Sequence, residues 1–260
     1  METHEFNGEK YKNASRHQKE WGNAIISQLK LTGSESVLDL GCGDGILTKQ
    51  LSELVPNGKV LGVDGSEGMI KTAKMVSSNN LTFEKMNIND ITFENEFDFI
   101  FSNATLHWIK DHKKLINNCY RALKKYGFIR FNFGGDGNCS NFFAVINDVI
   151  KYAKYQKYFK NFEWPFYMPS VEEYTKKISE CNFSEIEIWS ENADRYFNDQ
   201  DEMIKWIEQP SIVPFIKLVD EQLKEEFLNE VIGLMIEKTK KDDGKCFETF
   251  RRINVYAIKK

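Results

Sequence analysis

The feature that most constrains this chain is a glycine-rich turn between a predicted buried strand and a predicted helix. The strand is the short run 37–40, and the turn 41–45 follows it with the sequence Gly-Cys-Gly-Asp-Gly. Apolar residues at helical spacing begin again at Ile46. In open α/β sheets, ligands bind beyond the carboxyl ends of the strands, where such turns lie. The turn therefore predicts an α/β fold with a ligand site at this point.

Predicted strands and helices alternate along the first half of the chain. Besides the strand before the turn, we expect strands at 60–64, 81–86, 97–102, 127–133, 183–189 and 247–258. Helices are predicted over about 14–30, 46–54, 66–77, 111–124, 140–160, 170–181, 199–208 and 212–240. This alternation predicts a doubly wound, mostly parallel sheet of seven strands with right-handed crossovers.

The second half of the chain contains two long connections. The sequence has no repeat and no Pro/Gly-rich linker, so we expect a single domain over 1–260 with a core at about 31–134. Residues 135–168 and 193–245 exceed what simple connections in a minimal sheet need. We therefore expect these two insertions to form a helical lid over the carboxyl edge of the sheet.

Composition excludes several classes of protein. The formal net charge is -4, which argues against sequence-independent binding of nucleic acid, since that needs a basic face. No run approaches the length of a membrane span, and the polar N-terminus shows no apolar segment of a secretory signal, so we expect no membrane contact. The 5 cysteines are far apart and form no CxxC pair. We expect neither a disulfide framework nor a metal site, and a cytoplasmic setting.

The residues around the turn indicate what kind of ligand it binds. The spacing of the glycines is G-x-G-x-G. Nicotinamide-dependent oxidoreductases, one enzyme class that such a turn could indicate, hold a pyrophosphate with the different spacing G-x-G-x-x-G. Asp39 and Asp44 flank the turn, which suits a cationic ligand better than a phosphate. Asp64 ends the second predicted strand, where its carboxylate can accept from both hydroxyls of a ribose. The alternative is a glycine turn that serves only helix–sheet packing.

Over residues 37–133 the chain resembles the class I S-adenosylmethionine-dependent methyltransferases. The resemblance implies a Rossmann-like fold, S-adenosyl-L-methionine as cofactor and S-adenosyl-L-homocysteine as product. It places Gly41 and Gly43 along the methionine portion and Asp64 at the ribose, while Asn87 stands where relatives often carry an acidic residue that meets the adenine. The implied cofactor-binding set is Tyr11, Arg16, Asp39, Gly41, Cys42, Gly43, Asp64, Gly65, Asn87, Ile88, Asn103 and Ala104.

Within that family, the chain is similar to the branch that contains trans-aconitate 2-methyltransferase. The similarity rests on 103–108, which reads Asn-Ala-Thr-Leu-His-Trp, and on 243–252, which ends in Thr-Phe-Arg-Arg. Residues 194–197 and 209–215 are compatible with the same branch. The resemblance implies methylation of a small-molecule acceptor. No N/D-P-P-Y signature follows the fourth predicted strand, which disfavours an enzyme that methylates amino groups of DNA.

Two kinds of acceptor remain open at this point. A carboxylate is ionised at neutral pH and needs no base, but the site must then bind the rest of an anion, which arginine does well. A phenol, an amine or a carbon acid needs a base, for which His107 is the candidate. The candidate catalytic and acceptor-binding residues are His107, Trp108, Arg195, Tyr196, Arg251 and Arg252.

Each of these residues also has a structural alternative. His107 can be a hydrogen-bonded residue at a strand end, Trp108 can be packing, and the arginines can form ion pairs with Asp or Glu. Cys42 is expected to be a small packing residue and not a nucleophile. A protein that binds S-adenosylmethionine without catalysis also remains possible on these residues.

Overall fold

The structure is a computed structural model that describes residues 16–260, except for the side chains of residues 16, 17, 209 and 210. Tyr11 and the side chain of Arg16, both predicted to bind the cofactor, lie outside the described residues. The strands are β1 Ser36–Leu40, β2 Lys59–Asp64, β3 Leu81–Lys85, β4 Phe97–Asn103, β5 Leu123–Gly134, β6 Phe183–Asn192, β7 Arg195–Phe197, β8 Cys246–Glu248 and β9 Arg251–Lys259.

Seven of these strands form one sheet in the order β3-β2-β1-β4-β5-β9-β6. The first five of that series pair in parallel, whereas β9 runs antiparallel to β5. The α-helices are α1 Arg16–Ile26, α2 Ile46–Leu54, α3 Glu67–Ala73, α4 His112–Ala122, α5 Ser140–Val149, α6 Val171–Ser179, α7 Gln200–Trp206, α8 Val213–Ile216 and α9 Glu221–Thr239. The prediction of an α/β, mostly parallel, seven-stranded sheet is confirmed.

The helices and strands differ from the sequence predictions mainly in the second half. The predicted strand 247–258 is divided into two strands, β8 and β9. The chain between them does not continue the strand hydrogen bonding, because the backbone N–H of Phe250 donates to the side chain of Asp194, at 2.9 Å from Oδ1. The helix predicted over 140–160 ends at Val149, and a short 3-10 turn follows at Gln156–Tyr158. The helix predicted over 212–240 is divided into α8 and α9.

The chain divides into two compact units. One, called here the sheet unit, comprises the residues up to Gly135, Phe166–Glu191 and Arg252–Lys260; the other, the helical unit, comprises Asp136–Pro165 and Asn192–Arg251. The two predicted insertions, 135–168 and 193–245, fall mostly in the helical unit. Their role as a lid stays a prediction.

The two faces of the sheet unit differ in character. Alternate residues of β5 and β9, such as Phe131 and Val255, face an apolar core shared with α4 and α6. On the opposite face, Phe99 and Phe101 of β4 pack with α1 in a second apolar cluster. Toward β5 and β9 this second face becomes polar while staying buried, through Asn103, Asn132, Arg252 and Asn254. Buried polar side chains inside a sheet need hydrogen-bond partners, so this face is a candidate for a functional site.

The helical unit has an aromatic core. Phe142 of α5 packs against Trp206 and Phe215, at ring-centroid distances of 5.6 and 6.2 Å. The carboxylate of Glu248 is buried at the start of α5, where it accepts from the backbone N–H of Asn141 and Phe142 at 3.1 and 2.9 Å. An anion at a helix N-terminus satisfies donors that have no partner within the helix. Among residues 16–260, no helix combines the length and the apolar character needed to cross a bilayer.

Candidate active site

The glycine turn connects β1 to α2 and adopts left-handed backbone conformations. Gly41, Gly43 and Gly45 have φ values of +77°, +54° and +80°. A Cβ on Gly41 would come within 2.2 Å of the Thr105 side chain, so only glycine fits there. A Cβ on Gly43 would meet nothing within 4 Å. The backbone at Gly43 therefore faces open space that a ligand can enter.

Asp64, the last residue of β2, fixes the turn from the neighbouring strand. Its Oδ2 accepts from Gly43 N at 3.1 Å and its Oδ1 from Ser66 N at 2.8 Å. Both bonds orient the carboxylate at the carboxyl edge of the sheet, next to Gly65. A carboxylate has about four acceptor sites, so a carboxylate at this edge is suited to the hydroxyl groups of a ligand.

Asp39 and Cys42 lie beneath the turn. Thr48 Oγ1 of α2 donates to Asp39 Oδ2 at 2.7 Å. Burial raises the pKa of Asp39 to about 7, against the lowering effect of the Thr48 bond and with a smaller contribution from the charge of Asp64. Cys42 packs in the apolar cluster beside α1, and burial raises the pKa of its thiol. The raised pKa keeps the thiol neutral, which agrees with a packing role for Cys42 and argues against a role as a nucleophile.

Asn87 and Ile88 follow β3. Asn87 Oδ1 accepts from Asn89 N at 3.0 Å and so caps the 3-10 turn Ile88–Asp90, while Ile88 is buried in the apolar core. One lone pair of the Asn87 amide oxygen is therefore used by the backbone.

The end of β4 meets α1. Asn103 Nδ2 donates to Gln18 O at 2.8 Å, and Lys19 pairs with Asp44 Oδ2 at 2.8 Å, so α1 reaches both β4 and the turn. Asn103 Oδ1 and Gln18 Oε1 are buried, and in the structure of residues 16–260 neither accepts a hydrogen bond. A buried acceptor without a donor costs about 1–3 kcal/mol. The two oxygens are therefore suited to a ligand that brings N–H donors. Ala104, next in the chain, has a left-handed φ of 57°.

His107 and Trp108 lie in the short 3-10 turn Leu106–Trp108 that follows β4. Gly134 N donates to His107 Nδ1 at 3.4 Å, and the Trp108 ring lies 4.6 Å from Phe166. Burial lowers the pKa of His107 to about 3, helped by the positive charge of Arg252. His107 is therefore neutral at physiological pH.

Arg252 is the predicted acceptor-binding residue that the structure brings into the sheet unit beside His107. Its Nε and Nη2 donate to Asn132 Oδ1 at 2.9 and 2.6 Å, and its Cζ lies 4.4 Å from the Trp21 ring centroid. Asn132 is paired with Asn103 across β5 and β4. With strands about 4.8 Å apart, Arg252 on β9 lies about 10 Å from Asn103, measured across the sheet.

The other predicted acceptor residues belong to the helical unit. Arg251 forms an ion pair with Asp194, and its Nη1 also donates to Asn192 Oδ1 at 3.0 Å. Arg195 of β7 stands opposite Glu248 of β8, and Tyr196 is 60% exposed. Arg251 thus has the carboxylate partner that the structural alternative expects. The acceptor roles of all these residues stay predictions.

Comparisons with known proteins agree with this geometry. A family model described as a methyltransferase domain matches residues 38–131. A fission yeast relative (Schizosaccharomyces pombe), named uncharacterized methyltransferase C70.08c, is 28% identical, and the match covers 90% of each chain. Trans-aconitate 2-methyltransferase of Pseudomonas aeruginosa is 23% identical over 90% of this chain and 86% of that one. The chain is a class I S-adenosylmethionine-dependent methyltransferase.

Two further matches extend the comparison. Malonyl-[acyl-carrier protein] O-methyltransferase of Bacillus cereus is 31% identical to this chain, and the match covers 60% of this chain and 59% of the Bacillus cereus protein. The solved phosphoethanolamine N-methyltransferase 2 of Haemonchus contortus has a TM-score of 0.62 at 20% identity, with 97% of this chain and 56% of that chain covered. At that identity the structural likeness shows the fold alone, and it agrees with the Rossmann-like sheet.

The cofactor of this methyltransferase is S-adenosyl-L-methionine, and the described residues fit it. The open space at Gly43 admits a ligand against the backbone, and the carboxylate of Asp64 is suited to ribose hydroxyls. The buried oxygens of Gln18 and Asn103 need donors, which an ammonium group carries. Among the described residues, no cluster of three or more His, Cys, Asp or Glu side chains could hold a metal ion.

Three residues of this region, Gln18, Asn132 and Asn254, are not among those predicted from the sequence to bind the cofactor or the acceptor. Gln18 lies on α1, whose position over the turn depends on tertiary packing. The signal for the two asparagines was present, because each is a polar residue inside a predicted strand. A polar residue at such a position needs a specific partner, which sequence spacing alone does not name.

Proposed function

We propose that this methyltransferase methylates a carboxylate of a small organic acid. The observation that carries the proposal is the buried guanidinium of Arg252, which is held by Asn132 and Trp21 on the same sheet face as Asn103. A planar guanidinium binds carboxylates through paired N–H donors better than an ammonium group does. Arg252 would bind one carboxylate of the acceptor and so orient another toward the cofactor.

Methylation of a carboxylate requires the protein to supply few catalytic groups. When bound, the cofactor would supply a methyl group on a sulfonium. A carboxylate oxygen of the acceptor would attack that methyl carbon in line, so that the O–C bond forms as the S–C bond breaks and its electron pair returns to sulfur, which leaves as S-adenosylhomocysteine. A carboxylate is already ionised, so no proton has to be removed. The side chains then have to position the acceptor and exclude water, and the packed rings of Trp108 and Phe166 are suited to the second task.

The state of His107 favours this acceptor over one that must be deprotonated. A general base works best when its pKa is near the operating pH, whereas the pKa of His107 is lowered to about 3 by burial and by Arg252. A phenol or an ammonium group would lose a proton to such an imidazole only with difficulty. The same positive charge that weakens His107 as a base attracts an anionic acceptor.

The names of two relatives support the proposal. Trans-aconitate is a tricarboxylate, and a malonyl group ends in a carboxylate, so both names specify acids as what those proteins act on. The second of these acids is attached to a carrier protein, which makes the size of the acceptor part of what must be tested.

The test is a screen for release of S-adenosylhomocysteine with di- and tricarboxylates, their amides, phenols and amines. We expect turnover with one or more of the acids and none with the matching amides. The product should release methanol in alkali, as an ester does and an ether or a methylated amine does not. Turnover confined to phenols or amines would refute the proposal.

A further inference from the structure

Four polar side chains are hydrogen-bonded in a row across three adjacent strands of the sheet unit. Arg252 of β9 donates through Nε to Asn132 Oδ1 of β5 at 2.9 Å. Asn132 Nδ2 donates to Asn254 Oδ1, also of β9, at 2.9 Å, and Asn254 Nδ2 donates to Glu191 Oε2 of β6 at 3.1 Å. Asn132 and Asn254 stand directly opposite each other in the β5–β9 pair, so the register of the sheet holds them together.

The chemistry of the two ends fixes the direction of every bond in the row. A guanidinium only donates and a carboxylate only accepts. Glu191 therefore requires the amide nitrogen of Asn254, which turns the Asn254 oxygen toward Asn132. That oxygen in turn requires the Asn132 nitrogen, which leaves the Asn132 oxygen for Arg252. Flipping either amide would set donor against donor at one side and acceptor against acceptor at the other.

Burial makes this order costly to disturb. Asn132 and Asn254 are 1% exposed and Arg252 is 3% exposed, whereas Glu191 lies at the exposed edge. A buried amide that loses its partner keeps the full cost of its desolvation, about 1–3 kcal/mol. The interior bonds therefore hold one arrangement, and the accessible carboxylate of Glu191 supplies its terminal acceptor.

We infer that Glu191, Asn254 and Asn132 are positioning residues that orient the Arg252 guanidinium for binding of an anionic acceptor. Two donors of Arg252 converge on Asn132 Oδ1, and the guanidinium carbon lies over the Trp21 ring at 4.4 Å from its centroid. The orientation of the anion-binding group thus depends on a carboxylate that is three hydrogen bonds away, on the neighbouring strand β6. This inference rests on the proposed function, since it gives Arg252 a ligand.

The experiment measures binding of tricarballylate to the complex with S-adenosylhomocysteine by calorimetry. We expect Glu191→Ala to weaken binding about fivefold or more and Asn132→Leu about tenfold or more, with unchanged affinity for S-adenosylhomocysteine. Glu191→Gln, whose amide oxygen can still accept from Asn254, should restore most of the affinity. Glu187→Ala, an exposed carboxylate four residues earlier on β6, is the matched control and should leave binding unchanged.

A second measurement follows Arg252 itself. The Nε–H signal of Arg252, assigned by its loss in Arg252→Lys, should exchange slowly with solvent in the native protein and at least tenfold faster in Glu191→Ala. Slow exchange in both proteins would overturn the inference. Tricarballylate binding that is equal in the native protein, Glu191→Ala and Asn132→Leu would do the same while leaving the proposed function intact.

The two hypotheses can fail separately. If native protein does not bind tricarballylate and methylates only neutral acceptors, the proposed function is wrong and Arg252 has no acceptor to orient. If it binds, and both the affinity and the exchange rate respond to Glu191, both hypotheses stand. A lower melting temperature in the variants with unchanged binding and exchange would assign the row a structural role only.

Discussion

The cofactor side and the proposed acceptor side of the sheet unit are built in different ways. At the glycine turn, the ligand-facing surface is largely backbone, and its shape depends on residues that tolerate left-handed φ values. Around Arg252, the surface is made of side chains from β5, β6 and β9 that are joined by hydrogen bonds. A backbone site follows from local sequence, whereas a side-chain site depends on register between distant segments. The first should therefore be sensitive to single added atoms, and the second to polarity and charge.

The largest effect is expected at Gly41. In Gly41→Ala, the new Cβ meets Thr105 within 2.2 Å at a φ of +77°, so we expect a loss of about 2–5 kcal/mol in the free energy of unfolding and no measurable cofactor binding. Chemical denaturation and calorimetry with S-adenosylhomocysteine measure the two quantities.

Gly43 provides the matched comparison. Its added Cβ meets nothing within 4 Å, so Gly43→Ala should stay closer to native stability and yet weaken cofactor binding, because the methyl group enters the ligand space. Equal stability losses in the two variants would contradict the assignment of different roles to these glycines.

Asp64 is expected to have the next largest effect. Asp64→Ala removes the acceptor for Gly43 N and the proposed acceptor for ribose hydroxyls. Because hydrogen bonds to charged groups contribute about 1.5–3 kcal/mol each, cofactor affinity should fall at least tenfold. Glu84→Ala, an exposed carboxylate of the neighbouring strand β3, is the control. Calorimetry that finds native affinity in Asp64→Ala would remove this residue from the site.

Arg252 and Arg251 test the acceptor side, since they are adjacent in sequence and differ in environment. Arg252→Gln should raise the KM for an acidic acceptor about 10- to 100-fold, because it removes a buried cation that would bind the acceptor. Arg251→Gln breaks an ion pair with Asp194 in the helical unit and should change that KM little. Steady-state kinetics at saturating cofactor separate the two. The reverse order of effects would move the acceptor site toward Arg251.

The cofactor site could be predicted from the sequence better than the proposed acceptor site, because the first depends on local sequence and the second on contacts between distant segments. The strand before the turn, Gly41, Gly43 and Asp64 form a local pattern, and the structure places all of them at one edge of the sheet. The Asn132–Arg252 contact joins residues 120 positions apart, so neither residue indicates the other in the sequence. For Arg251, the sequence indicates an ion pair with some Asp or Glu only as an alternative role, and it does not identify Asp194 as the partner.

The errors in secondary structure have the same physical origin. The run 247–258 has strand-like composition throughout. It is divided into two strands because the backbone N–H of Phe250 donates a hydrogen bond to the side chain of Asp194. The helix predicted over 140–160 stops at Val149, and the aromatic residues beyond it serve the core of the helical unit: Tyr155, fully buried, packs 5.0 Å from Phe227. Local periodicity does not register such long-range contacts, which decide where an element ends.

The smallest effect on turnover is expected at His107. Because the pKa of His107 is lowered to about 3, the imidazole is neutral throughout the range of ordinary assays, and its protonation cannot produce an acidic limb in the activity profile between pH 5 and 8. With an acidic acceptor, His107→Gln should change kcat by less than about tenfold, since no proton is removed in the reaction. A kcat reduced by several orders of magnitude, with unchanged cofactor affinity, would instead identify His107 as the base and return the acceptor to the phenols, amines and carbon acids.

The same histidine has a larger expected effect on stability in acid. In the unfolded chain its pKa returns to about 6.5, so the unfolded state binds a proton that the folded state rejects until the pH approaches about 3. The stability contributed by neutral His107 is therefore fully present above about pH 6.5 and is lost as the pH falls toward 3. Denaturant titrations between pH 4 and 7 should show a shallower loss in His107→Gln than in the native protein. Parallel curves would mean that His107 is solvated in the folded protein, and would remove the argument that its environment favours an acceptor that is already ionised.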